Sequence, residues 1–135
     1  MSEIKNLWSK ELLSEQNVVL PKTILQQQAT FFNEMTKNVV TAEVKTGSWS
    51  TEDKSKISHR LRIVAPAMGN YKFDLVSILH EELRAYPVEV ISILEEDDIK
   101  KSKVENADEL TQQLEEIFKS ERVVTALQNV IAFSK

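Results

Sequence analysis

The sequence predicts an α+β fold: a four-stranded antiparallel meander in the order α-α-β-β-β-β-α-α, with the helices packed mainly on one sheet face. Three observations carry this expectation. Between residues 40 and 94, four runs alternate apolar with polar side chains or are rich in β-branched residues. Residues before 38 and after 105 repeat apolar side chains at helical spacing instead. The connections between the four runs are short, which suits antiparallel neighbours rather than crossovers. Helices segregated to the two ends then bury their apolar stripes on one face of the sheet.

The elements follow in order. Ile4, Leu7, Trp8 and Leu12 form a helical stripe over Ser2 to Leu13, with Ser2 as its cap. Pro21 suits the first position of a second helix, Pro21 to Lys37, because its missing N–H has no helical partner there. Ile24, Leu25, Phe31, Phe32 and Met35 line one side of it, with Gln28 as the polar member. Val40, Ala42 and Val44 then alternate with Thr41, Glu43 and Lys45, which predicts a half-buried strand. Residues Gly47 to Lys54 read as a polar loop carrying Trp49.

The second strand has Ile57, His59, Leu61, Ile63 and Ala65 on its apolar side and Arg60 and Arg62 on the other. Pro66 to Asn70 is a turn. The third strand places Tyr71, Phe73, Leu75, Ser77 and Leu79 opposite Lys72, Asp74, Val76, Ile78 and His80. Pro87 to Leu94 is the fourth. The stretch EEDDIKKSK, from Glu95, reads as a solvated loop. Asn106 and Glu109 fit a helix cap and its partner. Leu110, Leu114, Ile117 and Phe118 share a face of that helix, and Ser120-Glu121 breaks or recaps it. Val123, Val124, Leu127, Val130 and Ile131 continue at helical spacing.

Composition bounds the function. The 135 residues suffice for one domain, 1–135, with its own core. The absence of cysteine removes disulfides, thiolate metal sites and cysteine nucleophiles. Two histidines, His59 and His80, are too few for a His-rich metal site. No apolar run reaches the length of a membrane span, and residues 1–16 lack the apolar core of a signal peptide, so a cytoplasmic setting is expected. The net charge of −4 is uneven: residues 37–72 carry +4 and residues 95–135 carry −4. Neither a phosphate loop nor a nucleophile elbow occurs, and no cofactor is expected.

Candidate sites are few. His80-Glu81-Glu82-Leu83-Arg84 opens like a zinc-protease helix, but Arg84 replaces the second ligand and strands flank the motif, so no metal is expected. His80 beside Glu81 or Glu82 is an acid–base pair without a nucleophile, and it supports an enzymatic alternative. The four consecutive acids Glu95 to Asp98 lack the alternation and glycine of a calcium loop. Lys45, Arg60, Arg62 and Lys72 gather on the polar sheet face, an alternative anion or nucleic-acid surface in which Glu43 and Asp74 are expected to form ion pairs. Nucleic acid is disfavoured by the acidic total.

Val76 and Ile78 fall on the polar side of a simple alternation. They are either covered by a terminal helix or exposed, with Trp49, as a contact for another protein. The leading expectation is a non-catalytic accessory protein acting by protein–protein contact, with a protein partner or a second copy of itself. Antitoxins, immunity proteins and secretion chaperones share this size and charge by analogy alone.

Overall fold

Proline at the first helical position starts α1 (Pro21–Met35), and Leu20 before it offers no side-chain cap. Ile24, Leu25 and Ala29 face inward from this helix and are buried. It ends at Thr36, whose hydroxyl donates to the Val40 carbonyl at 2.6 Å. Lys37 and Asn38 then adopt left-handed backbone (φ 53° and 62°) and turn the chain into the sheet. The computed structural model describes residues 4–14, 18–50, 55–92 and 101–135, with backbone only at 49, 50 and 101.

Five strands follow: β1 (Thr41–Ser50), β2 (Ser55–Ala65), β3 (Tyr71–Glu81), β4 (Val88–Ser92) and β5 (Lys101–Val104). They form one antiparallel sheet in sequential order. The helices α2 (Ala107–Phe118) and α3 (Glu121–Phe133) close the chain. Asn106 caps α2 by accepting from the Glu109 N–H at 2.9 Å, and Ser120 caps α3 by accepting from the Val123 N–H at 3.4 Å.

The class is the α+β arrangement the sequence predicts, with two corrections. A fifth strand overlaps the end of the stretch read as a loop. It has only four residues, with Ser102 and Val104 paired to the core-facing Val90 and Val88. A run so short, with lysines at the alternate positions, carries almost no periodic signal. Lysines also suit an edge strand, where they discourage pairing with another chain. The acids at 95–98 lie outside the described residues.

The second correction concerns the N-terminal helix. Among the described residues there, a single turn of 3₁₀-helix forms, at Lys10–Leu13, capped by Ser9, and it buries nothing. Ile4, Leu7, Trp8 and Leu12 remain exposed, Trp8 by 76 %. A helix this short is marginal in water unless its apolar face packs on something, and here it does not. Ser2 lies outside the described residues. The strand limits also shift: β1 continues through Gly47 and the backbone of Trp49, where a loop is expected.

The register explains the broken alternation on β3. Leu61 pairs with Val76 but Arg62 pairs with Asp74, so Leu75 is an extra residue in a β-bulge. A bulge puts two successive residues on one face. Leu75 and Val76 therefore both face the core, and the sheet phase flips after them. Ile78 pairs with His59 and Val90, and His80 with Ile57 and Val88, all on the core face. Val76 and Ile78 are fully buried (0 % exposed) within the cluster that includes Leu25, Ile63, Leu110 and Leu114. The protein-contact patch expected at these two residues is thus not a surface, and neither is a second face covered by a helix.

One polar clasp joins α1 to the free edge of β1. The Asn33 side chain accepts from the Ala42 N–H at 2.7 Å and donates to the Ala42 carbonyl at 3.2 Å. It satisfies an edge residue as a neighbouring strand would. Asn33→Ala leaves both half-buried groups without that partner and is expected to lose about 2 kcal/mol of stability, measured by urea denaturation. An unchanged midpoint would show that water replaces the clasp at no cost.

Candidate functional site

Three helical stripes and the sheet floor enclose an open groove. From α1 come Ile24, Gln28, Phe31 and Met35, spaced along one flank of the helix. From α2 come Thr111, Leu114, Glu115 and Phe118, with Lys119 just past its end, and from α3 Val124, Leu127, Gln128 and Ile131, with Lys135 beyond it. Ala42, Leu61, Ile63 and the bulge residue Leu75 form the floor. The groove has a volume of about 960 Å³ and a predominantly apolar lining. That lies within the range of ligand and peptide clefts.

Its rim is unusual for a sheet–helix packing. Phe31 is 59 % exposed and Met35 84 %, although both belong to the apolar stripe of α1. Val39 and Val124 are also exposed there. Charged lining residues are Lys37, Lys119, Lys135 and Glu115. Lys119 donates to Glu115 at 2.7 Å, and this bond with its charge holds the Glu115 carboxyl below its usual range.

The sequence signal for this groove is the width of the apolar stripe on α1. Ile24, Leu25 and Ala29 face the core, while Phe31, Met35 and Gln28 extend the stripe past it. Sequence reasoning assigns all of them to one core-facing side, because periodicity gives the direction of a stripe and not the place where the neighbouring helices stop.

The opposite sheet face collects the basic residues as expected. Lys45 pairs with Arg60, Glu43 with Arg62, and Val64 with Lys72, so Lys45, Arg60, Arg62 and Lys72 share that face. Asp74 stands between the two arginines, with Arg62 Nε 3.0 Å from Oδ1 and Arg60 Nη1 3.7 Å from Oδ2. Lys45 lies 3.8 Å from Glu43, and Lys56 is 2.7 Å from Glu89. Positive and negative groups thus alternate across the strands. The side chain of Trp49 lies outside the described residues.

His80 is not beside a carboxylate in the way its sequence neighbours suggest. Glu81 and Glu82 are exposed, and the His80 ring turns to the core face. There His80 Nε2 meets His59 Nε2 at 2.9 Å, with ring centroids 5.0 Å apart. The nitrogens therefore point along the line joining the rings, which is hydrogen-bond geometry. His80 Nδ1 is 2.7 Å from the Glu81 carbonyl, and His59 Nδ1 is 2.9 Å from Thr46 Oγ1. Burial, then the charges of His80 and Lys22, lower the His59 pKa to about 4. Neither histidine lines the groove.

Among the described residues no group of three or more His, Cys, Asp or Glu is placed to hold a metal ion. No helix among them is long and apolar enough to cross a membrane. No family model, curated protein or solved structure matches the chain.

Proposed function

We propose that this chain is a non-catalytic cytoplasmic accessory protein that grips an apolar segment of another protein in the groove between α1, α2 and α3. One observation carries the reading: an open apolar groove bordered by the exposed Phe31 and Met35. Large apolar side chains at a rim lose contact with water only when something spreads across them. Methionine, with its flexible unbranched chain, suits a surface that must mould to a partner. The expected contact therefore moves from Val76 and Ile78 to the helical side.

The test uses Phe31→Asp/Val124→Asp as a surface variant. Tagged wild-type and variant chains are incubated with extract of the source cells, and retained proteins are quantified. The wild type is expected to retain a defined protein that the variant loses, with the two melting temperatures equal. Equal retention would refute the groove as the contact. Light scattering on the purified chain identifies a second copy as the partner if the mass doubles and Phe31→Asp/Val124→Asp halves it.

The alternative of anion binding at Lys45, Arg60, Arg62 and Lys72 has their shared face in its favour. Asp74 neutralises part of that surface, as Glu115 neutralises Lys119 in the groove, but among the described residues the sheet face has no exposed apolar rim like that of Phe31 and Met35. For the enzymatic alternative, His80 has a histidine and a backbone carbonyl as its neighbours, where an acid–base pair with Glu81 or Glu82 is needed.

A further inference from the structure

We propose that the segment this groove takes is an acidic amphipathic helix, its apolar side chains in the groove and its carboxylates over Lys37 and Lys135. This rests on the protein-binding reading given above. The charge of the lining points to it: Lys119 pairs with the lining's one acid, Glu115, and Lys37 and Lys135 remain as an excess of positive charge beside an apolar floor, in a chain whose total charge is −4. Complementary charge around an apolar centre fixes the register and the choice of partner more than it adds affinity. A helix fits because each wall is itself a helical stripe, so apolar side chains at i, i+3 or i+4, and i+7 can enter the cleft between them.

Two other occupants fit less well. A small apolar molecule inside the groove leaves Phe31 and Met35, on the rim, still in water. The chain's own residues 4–14 offer Ile4, Leu7, Trp8 and Leu12 at helical spacing, but they carry Lys5 and Lys10 against Glu11. They would bring net positive charge to a positive rim.

The lysines also have a structural role to be separated from this one. Lys37 follows the end of α1, Lys119 caps the C-terminus of α2, and Lys135 ends the chain just past α3. Cations there complement helix dipoles. A purely structural role predicts that their replacement changes stability and leaves peptide selectivity untouched.

Three fluorescent peptides serve as probes: a leucine-faced helix with glutamates on its flanks, the same helix with lysines for glutamates, and an acidic scramble without an apolar face. Anisotropy titrations with the full chain are expected to give saturable binding of the acidic helix, about tenfold tighter than the basic one at low salt and less selective as salt rises. Lys37→Glu/Lys135→Glu should reverse the preference, and Phe31→Asp should abolish binding of both helices. Equal binding of acidic and basic helices, both lost in Phe31→Asp, would overturn the charge inference and keep the groove. Binding of neither helix would overturn both readings. Binding of the scramble as tightly as the acidic helix would overturn the amphipathic requirement. A preference unchanged in Lys37→Glu/Lys135→Glu, with only the melting temperature moved, would leave the lysines a dipole role and sink the proposal.

Discussion

Ile78→Ala is expected to lose about 3 kcal/mol of stability, and Ile78→Asp to leave no folded protein at room temperature. Ile78 is fully buried, paired to His59 on one side and Val90 on the other, and it belongs to the main core cluster. Truncating a buried isoleucine removes its transfer free energy and leaves a cavity, together about 2 to 5 kcal/mol. A carboxylate at the same place has no cation within the cluster to pair with and must be desolvated, which costs more than a typical domain's entire stability can offset. Urea denaturation followed by circular dichroism reads the first variant, and the far-UV spectrum reads the second. If Ile78→Asp folds with a wild-type melting temperature, then Ile78 is a surface residue, the bulge at Leu75 is wrong, and the contact patch returns to β3.

That outcome turns on a single inserted residue, and it shows where sequence reading stops. Strand and helix periods place α1, β1 to β4, α2 and α3 near their observed positions, because long amphipathic runs announce both their type and their buried side. The caps at Asn106 and Ser120 are legible for the same local reason. A bulge is different: it is recorded only as a break in alternation, and a break has several readings. Tyr71, Phe73 and Leu75 set one phase and Val76 and Ile78 another, and only the pairing partners on β2 show that both phases face the core. The N-terminal stripe fails for the converse reason. Ile4, Leu7, Trp8 and Leu12 have a helical period, but period alone does not supply a surface to pack on.

The candidate groove was half legible. The apolar residues of its helical walls stand out in sequence as helical stripes, and those of its floor as strand alternation. Their exposure does not, since it depends on how far apart α1 and α3 lie over the sheet. The two histidines make the same point. The sequence puts them 21 residues apart, His59 on an apolar face and His80 on a polar one. The bulge at Leu75 shifts the phase of β3 ahead of His80, so His80 shares the core face with His59 and the two rings meet.

Acidification from pH 6.5 to pH 4 is expected to destabilise the wild type by on the order of 3 kcal/mol more than a variant with glutamine at position 59. The Glu81 carbonyl can only accept, so His80 Nδ1 carries a proton and, in the neutral ring, Nε2 accepts. His59 Nε2–H then donates to it, and His59 Nδ1 accepts from the Thr46 hydroxyl. A proton added to His59 turns its Nδ1 from acceptor to donor, so the Thr46 hydroxyl can no longer donate to it, and it places a charge on a buried ring. His59 is 5 % exposed and is held near pKa 4 by burial first and by the charges of His80 and Lys22 next. Its unfolded value is 6.5, so between these values the unfolded chain binds more protons than the folded one. Stability is therefore fully present above pH 6.5 and falls as pH drops toward 4, at about 1.4 kcal/mol per unit of pKa difference. Carboxylates titrate through the lower part of this window in both proteins, so the difference between wild type and His59→Gln isolates the histidine. Urea midpoints at half-unit pH steps give that difference directly. Parallel curves for the two proteins would show that His59 takes up its proton in the folded state as readily as in the unfolded one, and that the chain from Thr46 to Glu81 does not hold it neutral.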